Sequence, residues 1–534
     1  MKRIKLQHVL PWCVLIGAYV LSVGFFALYG QHNLDADMSC EMIYADLLNR
    51  EGRLLTDSWF YSTEIRTVSP IPLFQLGLLL FDSWHAARTF AVAMCLLVVM
   101  ASFLYMSSKL GLCERGIYCA SVVTLPFSHA YAYVTVYGCG YSVYLALVFL
   151  LLGLLIRLDE KKGRVRRMVT LGILALWGGT GGIRTMMIAT VPMLLAGVLD
   201  TLPQMMKHEK LTEGLKSDQG MRLLGTLVVC VMSMLGLIMN ETVLREAYDF
   251  TDYSGMGIRL RNLDALAEQM IRILEFFGFR ESSALVSARG VASVAALGVV
   301  MLMGWAIVRL SKSAVGNGRY VFWFAIASVV LGIVINTLTE NGYVRYYLPG
   351  LVMLVVLLDY AWANMPCKNR FIRQAVPLCI VAVFALEAGI YMRQDLEHTE
   401  APYEETAAWL QENGYAQGFA TFWNSSMLTE ASDGEITVYA MDDAYWYDDW
   451  KQLRVREPLQ IKQNRAYVEE QKALYESGIT VSKPEDKVFV YLSAMELYEP
   501  DIPYARKENL VYQAEHGSVF AYESIGALYE TLKQ

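Results

Sequence analysis

The stretch VLPWCVLIGAYVLSVGFFALY, residues Val9–Tyr29, decides the fold class, because it contains no charged side chain and is long enough to cross a bilayer. A helix needs about 20 apolar residues to span the hydrocarbon core. Comparable runs with few or no charges recur at Val291–Leu310, Val321–Leu338 and Leu351–Ala363. No small-residue cleavage site follows the first run, so we expect a retained helix rather than a signal peptide.

The composition predicts an all-α polytopic membrane domain. Of the 534 residues, 55% are hydrophobic and 18% are charged, and the mean hydropathy is +0.34. A soluble protein of this length carries more charge. The nine cysteines form no CxxC pair, so there is no zinc or redox signal. None of them lies in residues 392–534, which favours a bacterial plasma membrane over an animal cell surface.

Charge divides the chain into two parts. Residues 392–534 contain 26 of the 52 acidic residues but 12 of the 45 basic residues, so this segment has a net charge of −14 and the remainder has +7. No basic stripe suggests nucleic-acid binding. We therefore predict a membrane domain at 1–391 and a water-soluble domain at 392–534.

The positions of Lys and Arg predict the topology, because basic loops stay in the cytoplasm. Successive basic clusters enclose hairpins, which gives about eleven crossings, a cytoplasmic N-terminus and an extracytoplasmic C-terminal domain. The first outer loop, 30–86, contains an apolar segment at 71–81 that is too short to span and is predicted to be interfacial or re-entrant. The predicted helices lie near 9–29, 87–107, 116–130, 141–156, 168–182, 185–200, 222–240, 288–310, 320–338, 347–363 and 374–391.

The C-terminal domain alternates helix and strand signals, which predicts a small α/β fold. A helix is expected at 403–413 and another near 464–477. Asn424 is expected to cap a short helix. The predicted strands lie at 418–423, 435–440, 487–492, 510–513 and 518–522. The segment 444–450 packs four aromatics around two acids, a composition that suits a sugar ring but also a core with a turn.

Acidic residues follow the first apolar run directly, in the sequence Leu34-Asp35-Ala36-Asp37-Met38-Ser39-Cys40-Glu41. Carboxylates at the edge of a membrane lose solvation, which raises their pKa and suits a general base. If a helix begins at Asp37, Glu41 lies on the same face one turn later. The alternative is structural, because acids favour helix N-termini.

Further along the same loop, Tyr61, Glu64 and Arg66 lie within a stretch that begins with Trp59 and Phe60. A Glu–Arg pair beside aromatic rings could hold a sugar or a phosphate. The same rings could instead form a belt at the membrane surface.

Basic and polar residues recur at the predicted outer ends of later helices. Arg345 precedes a late helix beside Tyr346, and Arg184 follows a predicted turn at 178–182. Arginine pairs with phosphate oxygens in a bidentate manner, although an Arg near a helix end also reaches lipid headgroups. His129 and Tyr137 lie in another outer turn, where either a substrate contact or a structural role is consistent with the sequence.

These motifs together resemble the GT-C superfamily of polyprenyl-phosphate-sugar glycosyltransferases. The acidic motif after the first helix, the stretch Tyr61-Ser-Thr-Glu64-Ile-Arg66 and the element Arg345-Tyr-Tyr-Leu-Pro349 carry the resemblance, together with the plan of many helices and an outer domain. The chain has Asp-Ala-Asp where protein mannosyltransferases have Asp-Glu. The base therefore stays open between Asp35 and Asp37.

The resemblance implies an inverting transfer of sugar from a polyprenyl-phosphate-linked donor to a glycan or envelope-polymer acceptor. Asp35 or Asp37 would take the acceptor proton, and arginines would stabilise the leaving phosphate. A divalent metal is possible, since carboxylates are present. The residues expected to bind substrate are Glu41, Tyr61, Glu64, Arg66, His129, Tyr137, Arg184, Arg345 and Tyr346.

Two other functions fit the same layout. A lipid-linked glycan transporter would place ionisable residues deep in its helices and show repeat symmetry, whereas the charges here gather at the outer rim. A non-catalytic envelope protein would bind glycan through its tail and would tolerate loss of Asp35 and Asp37.

Overall fold

The computed structural model describes residues 6–62, 65, 67–205, 217–248, 263–281, 283–339, 344–365, 370–397, 402–441, 487–498, 505–524, 527–528 and 531. Two residues expected to bind substrate, Glu64 and Arg66, lie outside these ranges. The predicted helix at 464–477 and the aromatic segment 444–450 also lie outside the described residues.

Long helices form most of the described part of residues 6–397, where the apolar runs are. We number those of ten residues or more in chain order. They are α1 Leu6–Tyr29, α2 Ala36–Glu51, α3 Ile71–Leu80, α4 Trp84–Lys109, α5 Glu114–Thr124, α6 Gly140–Leu155, α7 Arg164–Thr180, α8 Val191–Met205, α9 Asp218–Met239, α10 Leu263–Phe276, α11 Ala288–Ser313, α12 Gly316–Leu338, α13 Leu348–Ala363 and α14 Arg370–Glu397.

The protein is a multi-pass membrane protein. Seven of the described helices are long and apolar enough to cross a membrane, and the pair His129–Tyr137 and Gly140–Leu155, bent by 86°, would make an eighth. Each of the eleven predicted segments contains a helix. However, α5 and α13 fall short of about 20 residues, and α7 begins with three arginines in four residues. Among the described helices, length and composition alone therefore identify seven or eight spans, and the remaining predicted crossings correspond to shorter or more polar helices.

The predicted helix at 116–130 is wrong in its second half. The helix α5 ends at Thr124, because Pro126 disfavours helical backbone at Leu125. Ser128 then caps a new short helix, and its hydroxyl accepts a hydrogen bond from the Tyr131 N–H at 3.3 Å. The chain continues through a π-helical turn at Tyr133–Tyr137 into α6.

The predicted turn at 178–182 is correct for Gly181 and Gly182 alone. Gly179 is inside α7, and a Cβ built on it would lie 2.1 Å from the Ser233 carbonyl oxygen of α9. The two helices are therefore in backbone contact, which only glycine allows at this point. Gly182 has a φ of +81°, and the turn that it forms leads into the segment that contains Arg184.

The described part of the C-terminal region forms helices and a mixed sheet of five strands. The elements are α15 Pro402–Glu412, β1 Gln417–Thr421, α16 Phe422–Ala431, β2 Thr437–Met441, β3 Val488–Ser493, β4 Leu510–Gln513 and β5 Gly517–Tyr522. The strands lie in the order β2-β1-β3-β5-β4. Strands β1 and β2 are parallel and connected by α16, and β1 and β3 are also parallel, whereas β5 is antiparallel to β3 and β4. The apolar strand β3 is central, as expected for a strand covered on both faces.

The capping prediction for Asn424 is wrong. Thr421 occupies the N-cap position of α16, so Asn424 lies within the first helical turn. Its buried amide donates to the Thr421 hydroxyl at 2.9 Å and to the Glu496 carboxylate at 3.1 Å. The strand before α16 ends two residues earlier than the sequence indicates, which moves the cap upstream.

A second hydrophobic core joins the start of the chain to its end. Tyr44, Trp59 and Phe74 from α2, the following loop and α3 pack in one cluster with Phe422 and Ala440 of the C-terminal sheet region. The helix α16 lies along α2, where the Cys40 thiol contacts the Ser426 hydroxyl at 2.9 Å. The C-terminal domain is therefore packed directly on the helix that follows the acidic motif.

Candidate active site

Asp35 begins the acidic helix α2. Its backbone is extended, and its side chain accepts a hydrogen bond from the Met38 N–H at 2.9 Å, which makes it the N-cap. Asp35 therefore has the structural role that the sequence also allows, in which an acid satisfies the N-terminus of a helix. Asp35 also faces a cavity, and its second carboxylate oxygen accepts a hydrogen bond from the Tyr133 hydroxyl.

One cavity brings together acids and arginines that are far apart in the sequence. Asp35, Asp37 and Glu41 line it from α2, and Arg184 and Arg345 line it from two other parts of the membrane domain. The remaining lining residues are Met38, Val68, Ser69, Tyr133, Val134, Gly138, Gly140, Tyr141 and Tyr144. We call this the charged cavity.

Local structure explains how the two guanidinium groups reach the charged cavity. Arg184 follows the turn at Gly181 and Gly182 that ends α7, and its guanidinium carbon lies 6.0 Å from the centre of the Tyr141 ring. Arg345 lies in a short 3-10 turn before α13, and its guanidinium lies 5.3 Å from the Tyr346 ring centre. Each cation therefore lies close to an aromatic ring, a contact that is favourable for a positive charge.

A second, larger cavity adjoins the charged cavity. Asp37, Glu41 and Ser69 line both, so these three residues form a shared wall. The other lining residues are mainly apolar or aromatic, namely Cys40, Tyr44, Leu54, Leu55, Trp59, Tyr61, Ser62, Ile65, Thr67, Ile71 and Pro72. We call this the aromatic cavity.

Two tyrosines of the aromatic cavity are held in place by hydrogen bonds. The Tyr44 and Tyr61 hydroxyls are 2.7 Å apart, and the Tyr61 hydroxyl donates to the Thr56 carbonyl at 2.7 Å. Burial raises the pKa of Tyr61 to about 12. Both rings therefore remain neutral and fixed, and they present aromatic surface rather than charge.

The other residues expected to bind substrate lie in different places. Tyr61 lines the aromatic cavity instead of the charged one. Tyr137 is fully buried, its hydroxyl is hydrogen bonded to that of Tyr391, and it lines neither cavity. His129 is exposed, with its ring 6.1 Å from the rings of Tyr133 and Tyr391. Tyr346 is buried beneath Arg345.

Sequence reasoning missed Tyr133, Tyr141 and Tyr144, which line the charged cavity. A signal for them exists, because Pro126 and Gly138 interrupt an otherwise apolar segment. Interrupted spans often mark binding sites in membrane proteins, since their free backbone groups line cavities. The π-helical turn that contains Tyr133 is a second such sign in the structure.

The described residues do not fit a metal site. Among them, no group of three or more His, Cys, Asp or Glu side chains is arranged to hold a metal ion. The acids at the charged cavity face guanidinium and hydroxyl groups instead.

Comparison with solved structures identifies the class of fold. Over nearly its whole length the chain shares its fold with a solved membrane-protein structure. It is similar to the crystal structure of ArnT from Cupriavidus metallidurans bound to undecaprenyl phosphate, at 13% identity, with a TM-score of 0.51 and with 96% of this chain and 97% of that chain covered. The apo structure of the same ArnT matches at 14% identity, a TM-score of 0.51 and the same coverage. The sequence matches no protein-family model and no curated protein.

Proposed function

We propose that the protein is a membrane glycosyltransferase that moves a sugar from a polyprenyl-phosphate-linked donor to a hydroxyl of an envelope acceptor. The observation that supports this most is the charged cavity, in which three carboxylates and two guanidinium groups meet on a GT-C fold. Acids and arginines in one cavity supply what the reaction needs, namely a base for the acceptor and cations for the leaving phosphate.

Arg184 and Arg345 bind the donor phosphate in this proposal. Guanidinium groups form paired, charge-assisted hydrogen bonds with phosphate oxygens. As the bond between the anomeric carbon and the phosphate oxygen breaks, the electron pair stays on the phosphate, and the two cations stabilise that charge. The solved ArnT complex contains undecaprenyl phosphate, which is consistent with a donor of this lipid class.

Asp35 or Asp37 accepts the proton of the acceptor hydroxyl. The acceptor oxygen forms the new bond to the anomeric carbon from the side opposite the phosphate, so the configuration inverts. Asp35 is oriented by the Met38 N–H and the Tyr133 hydroxyl, as a positioned base must be. Asp37 lies in the shared wall between the two cavities. Each has one geometric argument in its favour.

The aromatic cavity receives the acceptor. It meets the charged cavity at Asp37 and Glu41, so a molecule within it would present a hydroxyl to the acids from the side away from the arginines. Trp59, Tyr44 and Tyr61 provide flat apolar faces, and the two carboxylates provide hydrogen-bond acceptors. Sugar rings have both apolar faces and hydroxyls, so a glycan acceptor suits this lining.

The site faces the extracytoplasmic side in this proposal. The basic clusters place the N-terminus in the cytoplasm and the C-terminal domain outside. The C-terminal domain packs on α2 beside the acidic motif, so both belong to the same side of the membrane. The proposed location is the plasma membrane of a bacterium.

The test is donor turnover by the purified full-length chain in lipid nanodiscs. A panel of synthetic polyprenyl-phosphate sugars is supplied, and the release of polyprenyl phosphate is measured. We expect turnover by the wild type and its loss in either Asp35→Asn or Asp37→Asn, whichever removes the base. Wild-type protein that is folded and binds polyprenyl phosphate but consumes no donor of the panel contradicts the enzyme and favours a carrier of lipid-linked glycans.

Binding is measured separately with polyprenyl phosphate alone. We expect Arg345→Gln and Arg184→Gln each to weaken its affinity by about tenfold or more, since a hydrogen bond to a charged group contributes about 1.5–3 kcal/mol. Arg289→Gln serves as the matched control, because Arg289 lies in the first turn of α11 and does not line the charged cavity. If all three variants bind polyprenyl phosphate with equal affinity, Arg184 and Arg345 do not bind the donor phosphate.

A further inference from the structure

A buried ion pair joins the C-terminal domain to the membrane domain. The Arg88 Nε of α4 donates to Glu430 Oε1 at 2.7 Å, and Arg88 Nη2 donates to Glu430 Oε2 at 2.9 Å, which is a bidentate contact. The Arg88 side chain is 0% exposed and that of Glu430 is 5% exposed. Such a pair is strongly directional, because each charge is desolvated and depends on the other.

The same guanidinium also holds the backbone of the acidic helix. Arg88 Nη2 donates to the Met38 carbonyl oxygen at 3.0 Å. The Met38 N–H in turn donates to the Asp35 carboxylate at 2.9 Å. A continuous chain of contacts therefore runs from Glu430 through Arg88 and Met38 to Asp35.

Other contacts fix the C-terminal domain at the same place. The Asp433 carboxylate accepts a hydrogen bond at 2.7 Å from the Trp84 N–H, the first residue of α4. The Ser39 hydroxyl donates to the Met427 sulfur at 3.1 Å. Gly434 lies so close to Trp84 that a Cβ would be 2.4 Å from the indole ring. The end of α16 is therefore held against both α2 and α4.

We propose that Glu430 and Arg88 are positioning residues, and that the C-terminal domain orients the Asp35 carboxylate for transfer through them. This rests on the proposed function. Arg88 alone has rotational freedom about its long side chain, whereas the bidentate pair with Glu430 fixes the plane of the guanidinium. That plane sets where the Met38 carbonyl lies, and the backbone of Met38, through its N–H, sets the direction of the Asp35 carboxylate. A displacement of about 1 Å at such a group can lower turnover by about a hundredfold.

Two variants in full-length protein test the role. Arg88→Lys keeps a positive charge beside Glu430, but its single nitrogen cannot reproduce the fork that reaches both Glu430 and Met38. The double variant Arg88→Met with Glu430→Leu removes both charges, which buried pairs often tolerate without unfolding. For each variant, kcat, the KM for the donor, the affinity for polyprenyl phosphate and the unfolding temperature are measured in nanodiscs.

We expect kcat to fall by about tenfold or more in both variants, while the affinity for polyprenyl phosphate stays within about twofold of wild type, because Arg184 and Arg345 are untouched. We also expect Arg88→Lys to unfold near the wild-type temperature without regaining kcat. A loss of kcat at an unchanged affinity and unfolding temperature would not arise if the ion pair only stabilised the fold.

A second buried ion pair provides the matched control. Arg222 Nη2 lies 2.8 Å from Asp200 Oδ2, with both side chains almost fully buried. Arg222 is at the start of α9, whereas Asn240, beyond its end, contacts Ile65 of the aromatic cavity. Arg222 therefore lies 240 − 222 = 18 residues, or about 27 Å along the helix at 1.5 Å per residue, from the end of α9 that contacts the aromatic cavity. Arg222→Met with Asp200→Leu should leave kcat unchanged.

The outcomes separate the two proposals. Wild-type turnover together with wild-type kcat in Arg88→Lys overturns the positioning role and leaves the glycosyltransferase intact. A parallel loss of kcat, phosphate affinity and unfolding temperature in Arg88→Lys also overturns it, because the pair is then only structural. An inactive wild type refutes the proposed function instead. If the double variant does not fold, Arg88→Lys decides alone.

Discussion

Asp35 has two contacts that serve different purposes. Its hydrogen bond from the Met38 N–H satisfies the start of α2, and its hydrogen bond from the Tyr133 hydroxyl draws it toward a segment 98 residues away. A single substitution at Asp35 can remove both contacts at once. Loss of activity could then result either from a weakened start of α2 or from the missing carboxylate in the cavity. Substitutions that keep one contact and remove the other resolve this.

Asp35→Ser retains the helix cap and removes the carboxylate. Serine is as good an N-cap as aspartate, whereas alanine at this position costs about 1 kcal/mol. If Asp35 is the base, we expect Asp35→Ser to lose turnover by about a hundredfold or more at an unchanged unfolding temperature. Asp35→Ala should lose both. Turnover that survives in the serine variant assigns the base to Asp37.

Trp59 provides an aromatic face in the aromatic cavity, where 4% of the residue is exposed. Trp59→Ala is expected to raise the KM for the acceptor by about fivefold, since an aromatic contact contributes about 1 kcal/mol. The KM for the donor should not change. Trp59→Phe keeps a ring and should recover most of the effect, so equal KM values in the two variants would argue against ring contact with the acceptor.

A pair of closely packed helices holds Arg184 at the charged cavity. The close approach of α7 to α9 is made by glycines on both sides, because a Cβ on Gly179 would lie 2.1 Å from the Ser233 oxygen and one on Gly236 would lie 2.2 Å from the Leu176 oxygen. The turn after α7 leads directly to Arg184. The position of that guanidinium therefore depends on how tightly the two helices pack.

Gly179→Ala should force α7 and α9 apart. Inserting a methyl group into a tightly packed contact costs about 1–3 kcal/mol, so we expect a lower unfolding temperature and weaker polyprenyl phosphate binding. Gly298→Ala in α11 is the matched control, because nothing lies within 4 Å of a Cβ there. That replacement should be neutral or stabilising, since alanine favours a helix by about 1 kcal/mol over glycine. An unchanged Gly179→Ala protein would disprove the contact.

The elements of this protein follow from local sequence, whereas its site does not. The periodic apolar runs and basic loops locate all eleven predicted helical segments, and short β-rich runs locate the five described strands. Pro126 is the local signal that ends the helix predicted at 116–130 early, at Thr124. No local pattern places Asp35 or Asp37 in one cavity with Arg345, and only the family resemblance implies that acids and arginines act on the same substrate. No local pattern specifies a contact such as Tyr133 with Asp35.

In the molecule as a whole, the C-terminal domain contacts the N-terminal part of the membrane domain. Glu430 and Arg88 are 342 residues apart in sequence, and no charge pattern near either residue identifies the other. Polar contacts of this kind cannot be inferred from periodicity, because they depend on how two domains dock. Phe422 and Ala440 in the core of the first loop belong to the same interface.

Asp433 makes the stability of this interface depend on pH. Burial raises the pKa of its carboxyl above the ordinary value of 3.8, against the opposing effects of the Trp84 N–H and His85. The folded protein therefore holds this proton more tightly than the unfolded chain, so the free energy of unfolding falls as the pH rises from 3.8 through the raised pKa and is constant above it.

Asp433→Asn keeps a hydrogen-bond acceptor and cannot ionise. We expect its unfolding temperature to change less between about pH 4 and pH 7 than that of the wild type. Asp46, whose pKa is also raised by burial, contributes equally to both proteins. Parallel curves for the two proteins would show that Asp433 does not carry the dependence.

The ion pair between Arg88 and Glu430 also sets an order of events during synthesis. Ribosomes add roughly 5–20 residues per second, so Arg88 emerges about 20 to 70 s before its partner, given their separation of 342 residues. During that interval the guanidinium has to be solvated by water or lipid headgroups. The acidic helix acquires its final support only when the last part of the chain has been made, and a prematurely terminated chain would lack it.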